Sequence, residues 1–274
     1  MKIYISADME GVAGVVHWDQ TTPDQKDYER CRRWMTAEVN AAIEGALEAG
    51  ADGVLVNDSH HDMRNIWIDD LHPKAELISG SVKPLSMVQG AELRADAAFF
   101  VGYHARAGTV SGVLDHTYTG YITGVEINGT AAGETAINAL VLGGYGTPVV
   151  LVTGDDRVAA EARALLGPIE TVEVKSAITR YAARSLHPEE ARRRIRAAAV
   201  RAVRRRAEIR PFVLPPPYSL TLRLAHSAMA DYAASMPGAA RTDGLTVTAS
   251  APSTDELFRA FRAMYNLASL AVRR

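Results

Sequence analysis

Short apolar runs of strand character recur through the first two thirds of the chain, each followed by a stretch with helical spacing. KIYISAD (2–8), GVLVN (53–57), AAFFVG (97–102) and PVVLVTG (148–154) are the runs. Residues 29–49 place Met35, Val39, Ile43, Ala46 and Leu47 at helical spacing, and Gly50 stops that helix. EINGTAAGE (126–134) reads as a strand, a turn at Asn128-Gly129 and a helix entry, and DDRVAAEARALL (155–166) as an amphipathic helix. A run as short and apolar as GVLVN suits a strand buried on both faces, which requires helical crossovers. The expected class is α/β, with a mostly parallel sheet covered by helices.

Beyond residue 184 the texture changes. Residues 188–208 form an Arg-rich helix opening on Pro188, a good first-turn residue, and PFVLPPP (211–217) is a stiff linker. SLTLRLAH and GLTVTAS read as strands, each followed by a helix, the last with a capping box between Ser253 and Glu256. The expected division is an α/β domain over 1–184, which holds the candidate site read below, and a smaller C-terminal α+β subdomain over 185–274, the latter serving oligomer contacts.

Other features narrow the function by exclusion. Nine arginines lie between residues 192 and 210, yet the formal net charge of the 274 residues is -2. Arg is a good helix former, and Glu189 and Glu190 can pair with arginines one turn on, so no nucleic-acid partner is expected. No apolar run approaches the roughly 18 residues of a membrane span, and MKIYISADMEG lacks the pattern of a signal peptide. With Cys31 as the single cysteine, a reducing, cytoplasmic setting is expected.

Polar residues collect where the strands stop. Asp8 and Glu10 follow the first strand, and Asn57 to Asp62, with His60 and His61, follow the second. Tyr103, His104 and Arg106 follow the third. Glu134 closes the 126–134 stretch, and Asp155 and Asp156 follow the next strand. In a parallel sheet these ends share one edge, where open α/β sheets bind ligands. Taken singly, each has an ordinary reading as loop, cap or core polarity. Asp8 and Glu10, two apart on an extended segment, would point to the same side. Together, imidazole nitrogen and carboxylate oxygen suit Zn²⁺, or less specifically Mn²⁺, Co²⁺ or Fe²⁺. Asp58, Ser59 and His60 are adjacent and cannot form a linear catalytic triad. Acid-rich strand ends of this kind suit metal-dependent hydrolases of several substrate classes, peptides, nucleosides and phosphoesters among them.

S-A-D-M-E-G (6–11), VNDSH (56–60), LHP (71–73), ISGSVKPLSMVQG (78–90), GYHARAG (102–108), GVLDHT (112–117), GE (133–134), TGDDR (153–157) and EVKSAITR (173–180) together resemble the dinuclear zinc D-aminopeptidases of the DppA type. The likeness spans nearly the whole chain and loosens over the last 90 residues. It implies two Zn²⁺ per subunit, with Asp8 bridging, Glu10 and His60 on one ion, and His104 and Glu134 on the other. It implies a catalytic role for His116, with Asp115 where the pattern carries a small polar residue; a surface-loop histidine is the alternative. It further implies hydrolysis, by metal-activated water, of short peptides or amides with an N-terminal D-residue such as D-Ala, and a decameric homo-oligomer.

Overall fold

A computed structural model describes residues 1–272. The chain runs β1 (Lys2–Ala7), α1 (Tyr28–Glu48), β2 (Gly53–Asp58), β3 (Ala75–Ile78), β4 (Ala97–Tyr103), β5 (Ile122–Ile127), β6 (Thr130–Ala131), α2 (Glu134–Gly144), β7 (Val149–Asp155), α3 (Asp156–Leu166), β8 (Glu170–Thr179) and β9 (Ala182–Ser185). It continues with α4 (Pro188–Arg205), β10 (Tyr218–Leu224), α5 (Ser227–Ala234), β11 (Ala239–Arg241), β12 (Thr246–Ala251) and α6 (Thr254–Ala268).

A seven-stranded sheet has the order β3-β2-β1-β4-β7-β8-β9, parallel except for β9 against β8. Every residue of β4 and β7 is buried, as central strands covered on both faces require. The α/β class with a mostly parallel, helix-covered sheet is borne out. A five-stranded antiparallel sheet, β11-β12-β10-β5-β6, carries α5 and α6. Its β5–β6 hairpin turns at Asn128 and Gly129, whose φ values of 52° and 75° are those of a tight hairpin turn.

The two sheets do not share out the chain at residue 184. Strands β5 and β6 come from residues 122–131, and α4 packs on α1, β7 and β8 of the large sheet. The arginines of α4 occupy its outer face, while Ile195, Ala198, Ala199, Ala202 and Val203 are buried. The compositional change at 185 therefore marks the solvent face of a helix. Its crossing with α1 is close: a Cβ added at Gly45 would lie 2.4 Å from the carbonyl oxygen of Arg196. No described helix is long and apolar enough to cross a membrane.

Candidate metal centre

Strand β1 pairs with β2 on one side and β4 on the other, so the chain reverses its winding direction at β1. A crevice opens at such a switch point, beyond the C-terminal strand ends. Asp8 and Glu10 follow β1, His60 follows β2 and His104 follows β4. Strand geometry ends at Ala7, so Asp8 and Glu10 converge through a turn and not through the two-residue period of an extended chain. Glu134 stands at a helix entry, as the 126–134 stretch reads: it is the first residue of α2, delivered from the small sheet through β6.

The turn is fixed by its backbone. Asp8 N donates to Val101 O at 2.8 Å and Gly11 N to Gly102 O at 2.7 Å. A Cβ on Gly11 would sit 1.9 Å from Tyr103 O, so this glycine serves close approach of two chains. Opposite it, Gly102 has φ +73°, and a Cβ there would lie 2.2 Å from Asp8 O. Beneath, the fully buried Lys175 of β8 donates to the carbonyls of Glu10, Val12 and Val15, and Glu38 of α1 accepts from Ala13 N at 2.9 Å. Sequence reading passed over both. Glu38 had a signal, an ionisable residue within the stripe of Met35 and Val39; Lys175 had none, since alternation with the buried Val172 and Val174 would turn it to the other face.

Three imidazoles are oriented the same way. His60 Nε2 donates to Thr21 O at 2.6 Å, His104 Nδ1 to Ala105 O at 3.0 Å, and His116 Nδ1 to Leu114 O at 2.8 Å. A carbonyl can only accept, so each of those nitrogens carries hydrogen and the other faces the acids. His60 Nδ1 lies 3.2 Å from Asp8 Oδ1 and 3.0 Å from Glu10 Oε2. His104 Nε2 lies 3.4 Å from Asp8 Oδ2 and 3.3 Å from Glu134 Oε2, and His116 Nε2 lies 3.8 Å from Glu134 Oε1. The two oxygens of Asp8 are thus divided between two histidines.

Neutral imidazoles in this tautomer would oppose lone pairs to carboxylate lone pairs, so the cluster requires positive charge between them. Protons are one source. Burial, then Glu10 and the Asp8 carboxylate, act on His60, and the acids prevail, holding it well above the usual histidine range. Burial and then Glu10 push Asp8 up to about 7. Burial also opposes ionisation of Glu10, but His60 outweighs it and holds that carboxyl well below its usual value. Metal ions are the other source, and the atoms left over favour them. Asp8 Oδ2, Glu10 Oε2 and His104 Nε2 are buried with no hydrogen-bond partner. Ligand atoms of Asp8, Glu10 and His104 lie within 4.8 Å of one another, as do those of His104, His116 and Glu134. Nitrogen and carboxylate donors in sets of three fit zinc.

Other acids at this edge are spent on structure. Asp58 accepts from Asn65 N, Asn65 Nδ2 and Ile66 N at 2.6–2.7 Å. Asp155 caps α3 through Arg157 N and Val158 N and holds Val113 N. Asp115 holds the loop carrying His116, accepting from Gly108 N and facing Arg180 Nε at 3.3 Å. Cys31 is fully buried in α1. The cluster opens into a cleft of about 440 Å³, also lined by Trp18, His61, Lys83, Tyr118, Arg262 and Tyr265.

The chain matches known proteins along its length. A family model described as peptidase M55, D-aminopeptidase, matches residues 1–263. The D-aminopeptidase of Bacillus subtilis (strain 168) is 39% identical over 273 residues, covering 100% of this chain and 98% of the relative. Among solved structures, the Zn-dependent D-aminopeptidase DppA from Bacillus subtilis, described as a self-compartmentalizing protease, superposes with a TM-score of 0.96 at 38% identity, covering 98% of each chain.

Proposed function

Because the chain belongs to the M55 peptidase family of D-aminopeptidases, we propose that it is a zinc-dependent aminopeptidase releasing an N-terminal D-residue, such as D-Ala, from short peptides or amides. The observation that carries the zinc reading is the division of Asp8 between His60 and His104, beside buried donor atoms that have no other partner. Asp8, Glu10, His60, His104 and Glu134 would hold two Zn²⁺, with Asp8 shared. When bound, such ions polarise a peptide carbonyl and acidify water.

The residues of the chain supply the rest. Fixed in one tautomer by Leu114 O, His116 presents Nε2 to the cleft. Burial and then His104 push it below the usual histidine range, which favours the neutral ring with Nε2 free to take a proton. It would then return that proton to the departing amine, as general base and acid in turn. Glu134 Oε1 accepts from Tyr118 N at 2.6 Å, which fixes this carboxylate opposite His116. Glu10 and Glu134 offer negative charge for the substrate's ammonium group, which would select for free N-termini. A second reading, in which His116 is a ligand alongside His104 and Glu134, rests on their shared 4.8 Å grouping.

A homo-oligomer is part of this proposal, on the strength of the assembly described for the B. subtilis protein; a decamer is its proposed size. So is a cytoplasmic setting. The deciding experiment is metal analysis of the purified protein with kcat/KM for D-alanyl against L-alanyl amides. Two zinc ions per chain and a D preference are expected. Metal-free protein that is active and indifferent to chelator would overturn the reading.

A further inference from the structure

The cleft lining also carries two cations that have no counter-ion among the described residues. Lys83 is buried, and its Nζ donates to Asn57 Oδ1 and Asp58 O, each at 2.6 Å. Arg262, on α6, uses one terminal nitrogen on the carbonyls of Lys83 and Pro84, while its Nε is buried with no partner. Those contacts tie the 81–84 loop to β2 and α6, yet they leave one ammonium proton and most of the guanidinium fork unused. Among the described residues neither cation has a carboxylate at ion-pair distance, and the carboxylate of Asp58, whose backbone carbonyl Lys83 holds, is consumed by Asn65 and Ile66. Both cations line the same cleft as Asp8, Glu10 and Glu134. A half-used cation pair in a cleft leaves an anion site open, because buried cations without partners are costly.

We propose that Lys83 and Arg262 form a subsite for the C-terminal carboxylate of the substrate, so that the preferred substrates are very short peptides with a free C-terminus. This rests on the aminopeptidase reading above. The cleft then receives the peptide's ammonium group at the acids and its carboxylate at the two cations, and so measures peptide length. Longer peptides, and amides or anilides lacking a carboxylate, leave the cations unpaired.

The test compares D-Ala-D-Ala with its C-terminal amide on the zinc-loaded enzyme. A carboxylate held by charged hydrogen bonds should favour the free acid by about 10- to 100-fold in kcat/KM, mostly through KM. Lys83→Met and Arg262→Gln should each shrink that ratio, and the double variant should bring it near one. A wild-type ratio near one, or a ratio unmoved in both variants, overturns the subsite. If neither peptide is cleaved, the aminopeptidase reading fails by itself. The ratio of the two Kd values, measured by calorimetry on the same protein, then decides the carboxylate subsite.

Discussion

His104 and His116 lie face to face, 4.0 Å between ring centroids and 11° between ring planes. Each has Nδ1 on a backbone carbonyl and Nε2 towards Glu134. Two imidazoles stacked so closely do not both carry charge readily, which under the proposed function would leave one ring for a metal and the other for proton transfer. His116→Ala is therefore expected to keep its zinc and lose 10²- to 10⁴-fold in kcat, the usual range for a general acid or base. Metal analysis beside steady-state kinetics checks this. A variant that loses zinc would make His116 a ligand.

Asp8→Ala removes the one side chain shared between the two histidine arms of the cluster. Zinc content is expected to fall to near zero per chain, whereas Glu10→Ala should weaken one site more than the other. Equilibrium dialysis with elemental analysis separates the outcomes. Chelator should also lower the melting temperature of the wild type and leave that of Asp8→Ala unmoved, since a ligand that binds only the folded state stabilises it.

Lys175→Met keeps length and apolar volume but leaves the carbonyls of Glu10, Val12 and Val15 without their buried donor. Unsatisfied buried groups cost about 1–3 kcal/mol each, so a loss of order 3–5 kcal/mol is expected. Urea denaturation of the metal-free protein measures it. Zinc affinity should drop in parallel, because Glu10 sits on the freed loop.

Glu38 gives a pH signature. Burial pushes its carboxyl from the ordinary 4.5 up to about 7, with Ala13 N drawing it back. A raised folded-state value means the native protein binds the extra proton between those two pH values. The stability it contributes is complete below about 4.5 and is lost as pH rises through 7. Glutamine imitates the protonated acid and accepts from Ala13 N in the same way. Glu38→Gln should therefore match the wild type near pH 4.5 and gain on it by about 2–3 kcal/mol by pH 8. Denaturation curves for both proteins across that range give the difference, and a constant difference would show that Glu38 is ionised throughout.

The strands that position the centre were legible because burial on both faces makes them nearly pure apolar runs, as in AAFFVG and VVLVTG. The helix ends were equally plain, with Ser253 accepting from Glu256 N and Pro188 opening α4. Strands β3 and β8–β9 are hard to read from sequence, since they lie at the two opposite edges of the sheet and their half-exposed faces carry charge. The membership of β5 in the second sheet depends on pairing with β10, some hundred residues away, which no local pattern encodes. For the centre, carboxylates and histidines after apolar runs were visible. The carbonyls that set each histidine tautomer were not, because any backbone can supply them. The loop around His116 has positive φ at Leu114 and Tyr118, on both sides of the histidine, which their residue types do not signal.

Lys175 has one more consequence, in the order of synthesis. A chain leaving the ribosome has displayed all five candidate ligands by residue 134, and the first four strands of the large sheet by residue 103. The lysine that gathers the Glu10 turn is 165 residues downstream of Glu10. Until β8 has emerged and docked beside β7, those three carbonyls are without the lysine that gathers them. The Glu10 turn thus waits for its lysine until well past the synthesis of the last candidate ligand, and the centre takes its final form only after the strand next to the sheet's edge is in place.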